Sequence, residues 1–328
     1  MRLDIHDKID KGLFVSPLSA TAQRDLFKTY VRNITLELFD YCNRQCPYCP
    51  VSLIDRRTKV QLMDPSHFEK IIADLKAIDF SDSICLNLFN EPMAHDRTYE
   101  AIDALSEALP KARIWFNSNG DYLNKKSLQK MQAAGLKRIV VTLHIPAEAT
   151  YDDKMQITRI SQLSARTGLT FNVERFRPNL DIRASARYKS MEITVKSVNY
   201  SDHGVNRGGA MEHIPVLEAR TAPCDRPFHD LTIAWNGNVY PCCQFVESFE
   251  DHKQFVVGNI GQAETIYELY CSKMMASFRE DVFGYGQKRS PCDTCADQNK
   301  CWGAGDGQKR AQFQENLTSG SAAVDALV

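Results

Sequence analysis

A regular alternation of strand-like and helix-like segments between residues 33 and 198 constrains the fold more than any other feature of this sequence. In the first segment apolar residues occupy every second position, which indicates a strand with one buried side. In the second, Asp64 is placed to cap a helix that begins at Pro65, and apolar residues then recur at the spacing of one helix face. Strands that alternate with helices predict a parallel sheet with right-handed crossovers, either open or curled into an incomplete barrel.

This pattern places six strands and the helices between them. The predicted strands are 33–39, 83–89, 112–117, 138–143, 169–175 and 192–198. The predicted helices are the one that begins at Pro65, then 97–109, 125–134 and 155–167, with a short helical stretch over 181–188. Residues 33–200 are therefore expected to form one α/β domain, with residues 1–32 as an N-terminal extension.

The sequence changes character at the end of this domain, where Gly, Asn, Pro and Cys become frequent. An Asn-Gly pair at 236–237 lies between two β-rich runs, which predicts a β-hairpin over 231–242 with a type I′ turn. A helix is expected near 264–279, ahead of a last group of cysteines. Residues 201–316 are thus predicted to form a small C-terminal α+β domain built from this hairpin and helix, and the small, polar segment 317–328 is expected to be a flexible tail.

Charge and hydropathy limit the partners of the chain. It has 40 Lys plus Arg against 41 Asp plus Glu, a formal charge of −1, so no electrostatic excess favours nucleic acid or an anionic membrane. No run approaches the roughly 20 apolar residues of a membrane helix, and the charged N-terminal segment does not resemble a signal peptide. A cytoplasmic protein is expected. In that reducing compartment the 11 cysteines are expected to hold metal or take part in chemistry rather than form disulfides.

Three cysteines, Cys42, Cys46 and Cys49, follow the first strand in a C-x-x-x-C-x-x-C spacing. Three soft thiolates on one loop can bind three corners of a cubic iron–sulfur cluster and leave the fourth iron open to an outside ligand. A zinc knuckle or three buried thiols is the alternative. The spacing, directly after a first strand, favours the open cluster.

This motif resembles that of the radical S-adenosylmethionine (radical SAM) superfamily. In that family the open iron binds the amino and carboxylate groups of S-adenosyl-L-methionine, whose reductive cleavage gives a 5′-deoxyadenosyl radical that abstracts hydrogen from the substrate. The resemblance implies that Cys42, Cys46 and Cys49 hold a 4Fe-4S cluster and that Tyr48 supplies the aromatic residue before the last cysteine. It also implies a partial (β/α)6 parallel barrel for residues 33–200, an external one-electron reductant such as flavodoxin or ferredoxin, and a small-molecule substrate.

Polar residues at three further strand ends fit the same resemblance. In parallel βα folds, the loops at the carboxyl ends of the strands collect the reactive groups. The segment with Asn90 and Glu91 resembles a Gly-Glu-Pro motif whose backbone and carboxylate hold the methionine amino group, with Asn in place of Gly. Ser118 and Asn119 resemble a segment near the cofactor ribose and carboxylate, and His144 follows the fourth strand. A plain turn at Asn119 and a structural role for His144 are the alternatives.

A second group of cysteines lies in the predicted C-terminal domain. The region 206–295 resembles the auxiliary-cluster domain of radical SAM enzymes, of the SPASM and the shorter twitch type. Thiol chemistry alone leaves zinc and iron–sulfur open for this group. The resemblance implies one auxiliary 4Fe-4S cluster, held by Cys224, Cys242, Cys292 and Cys295. The full seven-cysteine SPASM pattern is not met, because Gly305 stands at the position of a further cysteine.

Four cysteines remain outside both groups. Cys243 and Cys301 could each be a spare ligand, a hydrogen-atom donor to a substrate radical or a buried thiol. Cys85 lies in a predicted strand and Cys271 in a predicted helix, and both are expected to be core residues.

The segments NRGG, NGNVYPC and VVGNI resemble an alcohol-oxidising branch of the superfamily that acts on an aminocyclitol. In that branch an Arg of the NRGG segment contacts the substrate, and Arg207 occupies its place; a surface turn residue is the alternative. The resemblance implies hydrogen abstraction from a carbinol carbon of a sugar or aminocyclitol and its oxidation to a ketone, with the auxiliary cluster as electron acceptor. Arg207 would orient the hydroxyl and stabilise developing negative charge. The absence of a Gly-x-Gly-x-x-Gly segment fits an oxidation without nicotinamide.

Three other functions stay open at this point. A radical epimerase would use Cys243 or Cys301 to return a hydrogen atom to the opposite face of the substrate. A peptide-modifying radical SAM enzyme would use the auxiliary cluster to bind or oxidise its substrate, although no leader-peptide module is expected in the short segment before the first strand. A zinc- or iron–sulfur-binding regulatory protein is the non-enzymatic alternative.

Overall fold

A single sheet of ten strands organises the part of the chain that the computed structural model describes, which comprises residues 9–146, 149–200, 204–214 and 218–295. The strands are β1 (Asn33–Leu36), β2 (Ser83–Cys85), β3 (Arg113–Ser118), β4 (Arg138–Thr142), β5 (Asn172–Arg177), β6 (Asp181–Tyr188), β7 (Met191–Val198), β8 (Asp230–Ile233), β9 (Asn238–Tyr240) and β10 (Gly258–Asn259). Their order in the sheet is β10-β9-β8-β1-β2-β3-β4-β7-β6-β5.

Helices pack on the outer side of this sheet. They are α1 (Ala20–Tyr30), α2 (Pro65–Ala77), α3 (Arg97–Ala108), α4 (Lys125–Ala134), α5 (Asp153–Thr167), α6 (Arg226–His229), α7 (Ile266–Tyr270) and α8 (Lys273–Phe283). Their ends follow local sequence signals. The Asp64 side chain accepts from the Ser66 N–H at 2.8 Å ahead of α2. Helices α4 and α5 end at Gly135 and Gly168, both with left-handed backbone.

The six neighbouring strands from β8 to β7 in the sheet order all run parallel. Successive side chains of a strand point to opposite sides. On β1, Ile34 and Leu36 are fully buried in the core formed with the helices, whereas Asn33 and Thr35 line a cavity on the inner side. This arrangement confirms the predicted α/β class with a parallel sheet.

The predicted helix over 181–188 is wrong, because these residues form β6. Ala and Arg in this stretch favour a helix, but β6 pairs antiparallel with β7 over its whole length, and this ladder overrides the local preference. Lys189, with φ of 52°, closes the tight turn between the two strands. The strand predicted over 169–175 forms as β5, but its place in the sheet differs from the prediction. It pairs antiparallel with β6 at the edge of the sheet and does not join the parallel strands.

The sixth parallel strand is instead β8, which comes from the predicted C-terminal domain and pairs in register with β1. Strands β8 and β9 form the predicted hairpin. Its turn is not of type I′, since only Gly237 of the Asn-Gly pair has a positive φ, 84°, and its N–H donates to the Ala234 carbonyl at 2.9 Å. The sheet thus continues across the boundary predicted at residue 200.

The terminal segments of the described chain share one core. The helix predicted near 264–279 is divided in two, because the Ser272 side chain accepts from the Met275 N–H at 3.3 Å and begins α8 as a new helix. Helix α1, from the predicted N-terminal extension, packs against α7, with the Phe27 ring 5.1 Å from the Tyr267 ring. The N-terminal extension is therefore part of the same packed body as the C-terminal helices.

Two predictions concern residues outside the described part of the chain. Cys301 and the predicted tail 317–328 lie outside the described residues. What the sequence predicts for them stays a prediction. Among the described residues, no helix has both the length and the apolar character needed to cross a membrane.

Arg279 of α8 joins these segments from inside the core. It is fully buried, and its guanidinium donates to the carbonyls of Pro227, Leu13 and Tyr270 at 3.0, 3.1 and 2.8 Å. The guanidinium also lies 4.1 Å from the centre of the Tyr270 ring. One cation thus connects α8 with α6, with α7 and with the segment ahead of α1.

We expect Arg279→Met to lower the free energy of unfolding by about 3 kcal/mol, because three buried carbonyls lose their donor. Urea unfolding of the cluster-free protein, followed by circular dichroism, measures this change. Arg24→Met, at an exposed position of α1, is the control and should change the stability by less than about 0.5 kcal/mol. Equal stability of the two variants would contradict the role assigned to Arg279.

Candidate active site and auxiliary cysteine site

A cavity of about 590 Å³ lies on the inner side of the parallel strands, and we call it the barrel cavity. Loops at the carboxyl ends of β1, β2, β3 and β4 line one end of it, and inward-facing side chains of the strands line the rest. It brings together the following predicted site residues: Cys42, Cys46, Tyr48, Cys49, Asn90, Glu91, Ser118, Asn119, His144 and Arg207.

Cys42, Cys46 and Cys49 lie on the loop between β1 and α2, which we call the cysteine loop. Burial raises the pKa of the Cys42 thiol to about 12 and that of Cys46 to about 11. Such thiols stay protonated unless a metal takes the place of the proton. Within the described residues, no three His, Cys, Asp or Glu side chains converge closely enough for a single metal ion. Three thiols around one cavity, with Cys46 buried and Cys42 and Cys49 half-buried, are the donor set that an iron–sulfur cluster requires.

A bidentate ion pair holds the cysteine loop to the loop after β3. Arg44 donates from Nε and Nη2 to the two carboxylate oxygens of Asp121, at 2.7 and 2.6 Å. Asn43 donates to the same carboxylate at 2.8 Å and accepts from Asn119 Nδ2 at 2.8 Å. The side chain of Asn119, which the sequence assigns to cofactor binding, is therefore engaged in positioning the cysteine loop.

A buried ion pair between Glu37 and Arg56 closes the base of the cysteine loop. The Glu37 Oε1 atom accepts from Arg56 and also, at 3.0 Å, from the Phe89 N–H in the loop after β2. The Arg56 guanidinium lies 5.8 Å from the centre of the Phe89 ring. Among the described residues, Glu37 Oε2 and Arg56 Nε and Nη2 have no hydrogen-bond partner. The pair ties the loops after β1 and β2 together, and each partner needs the charge of the other.

Glu91 is buried at the edge of the barrel cavity, with 2% of its surface exposed. Its carboxylate accepts from Ser118 Oγ at 2.8 Å, from the Asn119 N–H at 2.7 Å and from the Met93 N–H at 3.1 Å. Burial raises the pKa of Glu91 to about 7, although these hydrogen bonds act in the opposite direction. A bound ammonium group would favour the ionised carboxylate. Ser118 thus acts on the cavity through Glu91.

Asn90 occupies the place of a glycine in the motif that the sequence resembles. Its backbone is not left-handed, so a side chain is tolerated at this position. The Asn90 Oδ1 atom accepts from the Leu88 N–H at 3.2 Å, and Nδ2 is buried without a partner among the described residues. This donor on the cavity wall is suited to a ligand oxygen.

Tyr48, His144 and Tyr200 form an aromatic stack on the wall of the cavity. The ring centres lie 4.8 Å apart for Tyr48 and Tyr200 and 5.7 Å apart for Tyr48 and His144. The Tyr48 hydroxyl accepts from the Ile145 N–H at 3.2 Å and lies 3.0 Å from His144 Nδ1. Burial lowers the pKa of His144 to about 3, so the ring is neutral. Its Nδ1 atom can then accept a hydrogen bond from the Tyr48 hydroxyl. Tyr48 and His144 therefore position one another.

Arg207 stands at the start of a left-handed backbone turn, with φ of 52°, followed by Gly208 at 61° and Gly209 at 89°. A positive φ is strained for a residue with a side chain and persists only where the surroundings enforce it. His252 Nε2, 2.8 Å from the Gly208 carbonyl, holds this turn. Arg207 Nη1 donates to Gln244 Oε1 at 3.1 Å, while its Nε is buried without a partner in the described part of the chain. The guanidinium is thus fixed on the cavity wall with one donor available to a ligand.

The four predicted auxiliary ligands line a second, small and largely apolar cavity beside the barrel: Cys224, Cys242, Cys292 and Cys295. Burial raises the pKa of Cys292 to about 12 and moves that of Cys242 well above its usual value. The buried Arg220 lines the same cavity and acts in the opposite direction on Cys292. Four thiols with a neighbouring cation fit an anionic four-thiolate cluster.

Arg226 and Gln244 form the wall between the two cavities, because each lines both of them. Asp230, which also lines the barrel cavity, accepts from Arg226 at 3.0 Å. Cys243 lines the barrel cavity, whereas its neighbour Cys242 lines the auxiliary one. The structure therefore places Cys243 on the barrel-cavity side of this wall.

Several residues that position the site are missed by the sequence analysis: Glu37, Arg44, Arg56, Asp121, Tyr200, Arg220, Gln244 and His252. Arg44 lies between Cys42 and Cys46, and Gln244 directly follows Cys243, so these two stand next to predicted site residues in the sequence. No spacing or periodicity in the sequence indicates the contacts of the others.

Models of known protein families match both the α/β part of the chain and its cysteine-rich C-terminal part. The model of the radical SAM superfamily matches residues 36–199, half of the chain, and that of the SPASM iron–sulfur cluster-binding domain matches residues 224–302. The S-adenosyl-L-methionine-dependent 2-deoxy-scyllo-inosamine dehydrogenase of Niallia circulans is 28% identical over 268 residues, which cover 80% of this chain and 91% of that protein.

Two crystal structures of BtrN share the fold. The complex of BtrN with AdoMet and 2-DOIA has a TM-score of 0.56 at 22% identity and covers 77% of this chain and 87% of that chain. An open conformation of BtrN has a TM-score of 0.53 at 22% identity and covers 81% of this chain and 92% of that chain.

The Glu37–Arg56 pair gives a test of how the cysteine loop is held. We expect Arg56→Met to lower the free energy of unfolding by about 3–5 kcal/mol, because it leaves the charge of Glu37 buried and unpaired. The double variant Glu37→Gln/Arg56→Met should be less destabilised than Arg56→Met alone. Urea unfolding of the cluster-free proteins measures the free energy of unfolding of both variants. The amount of iron bound after reconstitution shows whether the cysteine loop can still hold a cluster. Purely additive effects of the two substitutions would argue against a coupled pair.

Proposed function

This chain belongs to the radical SAM superfamily, and we propose that it oxidises a secondary alcohol of a sugar or aminocyclitol to a ketone. Its cofactors are those predicted from the sequence, a 4Fe-4S cluster with S-adenosyl-L-methionine and an auxiliary 4Fe-4S cluster, and the two domain matches confirm them. One observation carries the proposal: the first cysteine group, Glu91 and Arg207 share one cavity, and the four auxiliary cysteines lie behind its wall. The similarity to a dehydrogenase supports the same reaction class.

The residues of the cavity divide into those for the cofactor and those for the substrate. We assign the cluster to Cys42, Cys46 and Cys49 and the methionine amino group to Glu91. When bound, these cofactors would supply a 5′-deoxyadenosyl radical able to remove a hydrogen atom from the carbinol carbon. Glu91 is suited to an ammonium group because its carboxylate is already oriented by three hydrogen bonds.

Arg207 is the candidate catalytic residue. Loss of the carbinol hydrogen would make the hydroxyl more acidic, and a nearby guanidinium would stabilise the oxygen as its proton is released to water. The Arg207 side chain is restrained by Gln244, and its buried Nε still has a donor to offer to a substrate oxygen. Arg207 would therefore orient the alcohol and stabilise negative charge on it.

Oxidation of an alcohol to a ketone releases two electrons and two protons, so a second electron acceptor is needed after the hydrogen atom has been removed. Within the described residues, Arg226 and Gln244 are the two that line both cavities. The four-cysteine site therefore lies close behind the wall of the barrel cavity. This proximity supports the auxiliary site as the place of the acceptor.

The reaction also needs partners outside the chain. We propose a small-molecule alcohol as substrate and an external one-electron reductant, such as a flavodoxin or ferredoxin, which would keep the first cluster reduced. A cytoplasmic location, where such reductants and reduced thiols coexist, is consistent with this requirement.

The test is anaerobic reconstitution, reduction with dithionite and incubation with S-adenosyl-L-methionine and a panel of cyclitols and sugars that includes 2-deoxy-scyllo-inosamine. We expect about eight irons per chain, four for each cluster, and formation of 5′-deoxyadenosine together with a ketone. Deuterium placed on the oxidised carbon should appear in 5′-deoxyadenosine. Formation of 5′-deoxyadenosine with no ketone from any alcohol would contradict the proposed reaction.

Arg207 gives the site-specific arm of this test. Arg207→Gln should slow ketone formation by about 100-fold, whereas 5′-deoxyadenosine should still form without coupled oxidation. Arg207→Lys keeps the charge but loses the guanidinium geometry, so we expect it to recover part of the activity. Wild-type rates in Arg207→Gln would rule out the assigned role.

Radical epimerisation is the second candidate, and the position of Cys243 favours it. Its thiol lines the barrel cavity, where it could give a hydrogen atom to a substrate radical. The resulting sulfur radical would take back an electron and a proton, the electron from the external reductant. The product would then be an isomer of the substrate at the same oxidation level.

Deuterium oxide separates the two reactions. An epimerase would incorporate one deuterium at the inverted carbon, and Cys243→Ala would abolish this incorporation. Cys85→Ala, at another buried thiol that lines the same cavity, is the matched control. For the proposed dehydrogenase we expect no incorporation, and ketone formation should survive in Cys243→Ala.

A further inference from the structure

A smaller cavity of about 240 Å³ continues the barrel cavity along the inner side of the sheet towards β5 and β6. The two cavities share Trp115, Asn117, Arg138 and Lys196 in their linings. We call the smaller cavity the basic groove. Its lining contains no Asp or Glu and four cationic residues, Arg138, Arg175, Arg183 and Lys196.

Strand register places three of these cations in one row. Lys196 of β7 pairs with Arg183 of β6, and Arg183 pairs with Arg175 of β5. Like charges directly opposite one another on neighbouring strands repel. Asp181 binds Arg175, and Glu174 Oε2 lies 3.5 Å from Arg183 Nε. Both carboxylates stand outside the groove lining, so they offset the charges of Arg175 and Arg183 while the charged residues that line the groove are all cationic.

Arg138 lies where the basic groove meets the barrel cavity. In the described part of the chain it makes no hydrogen bond and no ion pair, and its Nε is buried. Its guanidinium lies 5.9 Å from the centre of the Trp115 ring. Burial, followed by the charge of Arg113, lowers the pKa of Arg138 despite the opposing charge of Glu192. A guanidinium in this position has hydrogen-bond donors that a bound anion would satisfy.

We propose that the substrate carries a phosphate or diphosphate ester, which Arg138 and Lys196 bind in the basic groove while its alcohol group lies in the barrel cavity. The inference rests on the proposed alcohol oxidation and adds the chemical class of the substrate, a phosphorylated sugar or cyclitol. The groove is the direct continuation of the cavity that holds Arg207, so one molecule can occupy both.

The charge of the groove decides between the candidate substituents. A protonated amine would be repelled by the row of cations. A carboxylate has one negative charge, whereas a phosphate ester has up to two and three acceptor oxygens. A phosphate can therefore accept from Arg138 and Lys196 together, which matches the number of cations that line the junction.

The binding test uses the full chain with both clusters reconstituted anaerobically and inorganic pyrophosphate as the probe, titrated calorimetrically at constant ionic strength. We expect pyrophosphate to bind and Arg138→Gln to weaken binding by about tenfold or more. Arg187→Gln removes the same charge from β6 outside the groove lining, and it should bind pyrophosphate as the wild type does. Absence of binding, or equal affinity of the two variants, would overturn the inference. Citrate that binds as tightly, with the same dependence on Arg138, would overturn the choice of phosphate over carboxylate.

A kinetic experiment distinguishes failure of this inference from failure of the proposed reaction. Arg138→Gln should raise the KM for a phosphorylated alcohol by about tenfold or more, whereas Arg187→Gln, outside both cavity linings, should leave it unchanged. If the unphosphorylated alcohol is oxidised equally well and Arg138→Gln has no effect, the inference fails and alcohol oxidation stands. If pyrophosphate binding depends on Arg138 but no alcohol is oxidised, the proposed reaction fails and the anion site stands.

Discussion

The parallel pairing of β8 with β1 is the interaction on which the rest of the site depends. The two strands pair residue by residue from Asn33 opposite Asp230 to Leu36 opposite Ile233, and the Glu37 N–H continues the ladder to the Ile233 carbonyl at 2.9 Å. The cysteine loop follows β1, and Cys242 follows the hairpin that β8 begins. Backbone hydrogen bonds therefore fix the positions of the two cysteine sites relative to each other.

Around this ladder, charged contacts join the loops at the strand ends, in addition to an apolar cluster that includes Val51 and Phe89. Glu37 and Arg56 connect the loops after β1 and β2, and Arg44 with Asp121 connects those after β1 and β3. Glu91 is held by groups of the loop after β3. Each contact fixes a polar group before any ligand arrives, so less reorganisation is needed when a charged cofactor binds.

The parts of the structure that sequence predicts well are those encoded locally. Caps and periodicity give α2 and α4 because the signals lie within the elements themselves, and the cysteine spacing identifies the first group. Residues 181–188 show the limit of this approach: their composition favours a helix, but pairing with β7 makes them a strand. The same long-range pairing creates the row of cations on β5, β6 and β7, since its members are separated in sequence and meet only through strand register.

The cofactor half and the substrate half of the cavity are built from different structural parts. The chain can therefore share its cofactors with relatives that act on other substrates. The cofactor half consists of loops whose positions depend on the whole parallel sheet. Beside Arg207, the proposed substrate half includes inward-facing side chains on β3, β4 and β7, which alternate with the core residues that pack on the helices. Inward-facing residues can change charge without disturbing that core. A chain 28% identical to an aminocyclitol dehydrogenase can therefore keep the same cofactors and fold while the proposed anion site at Arg138 and Lys196 changes which substrate the groove accepts.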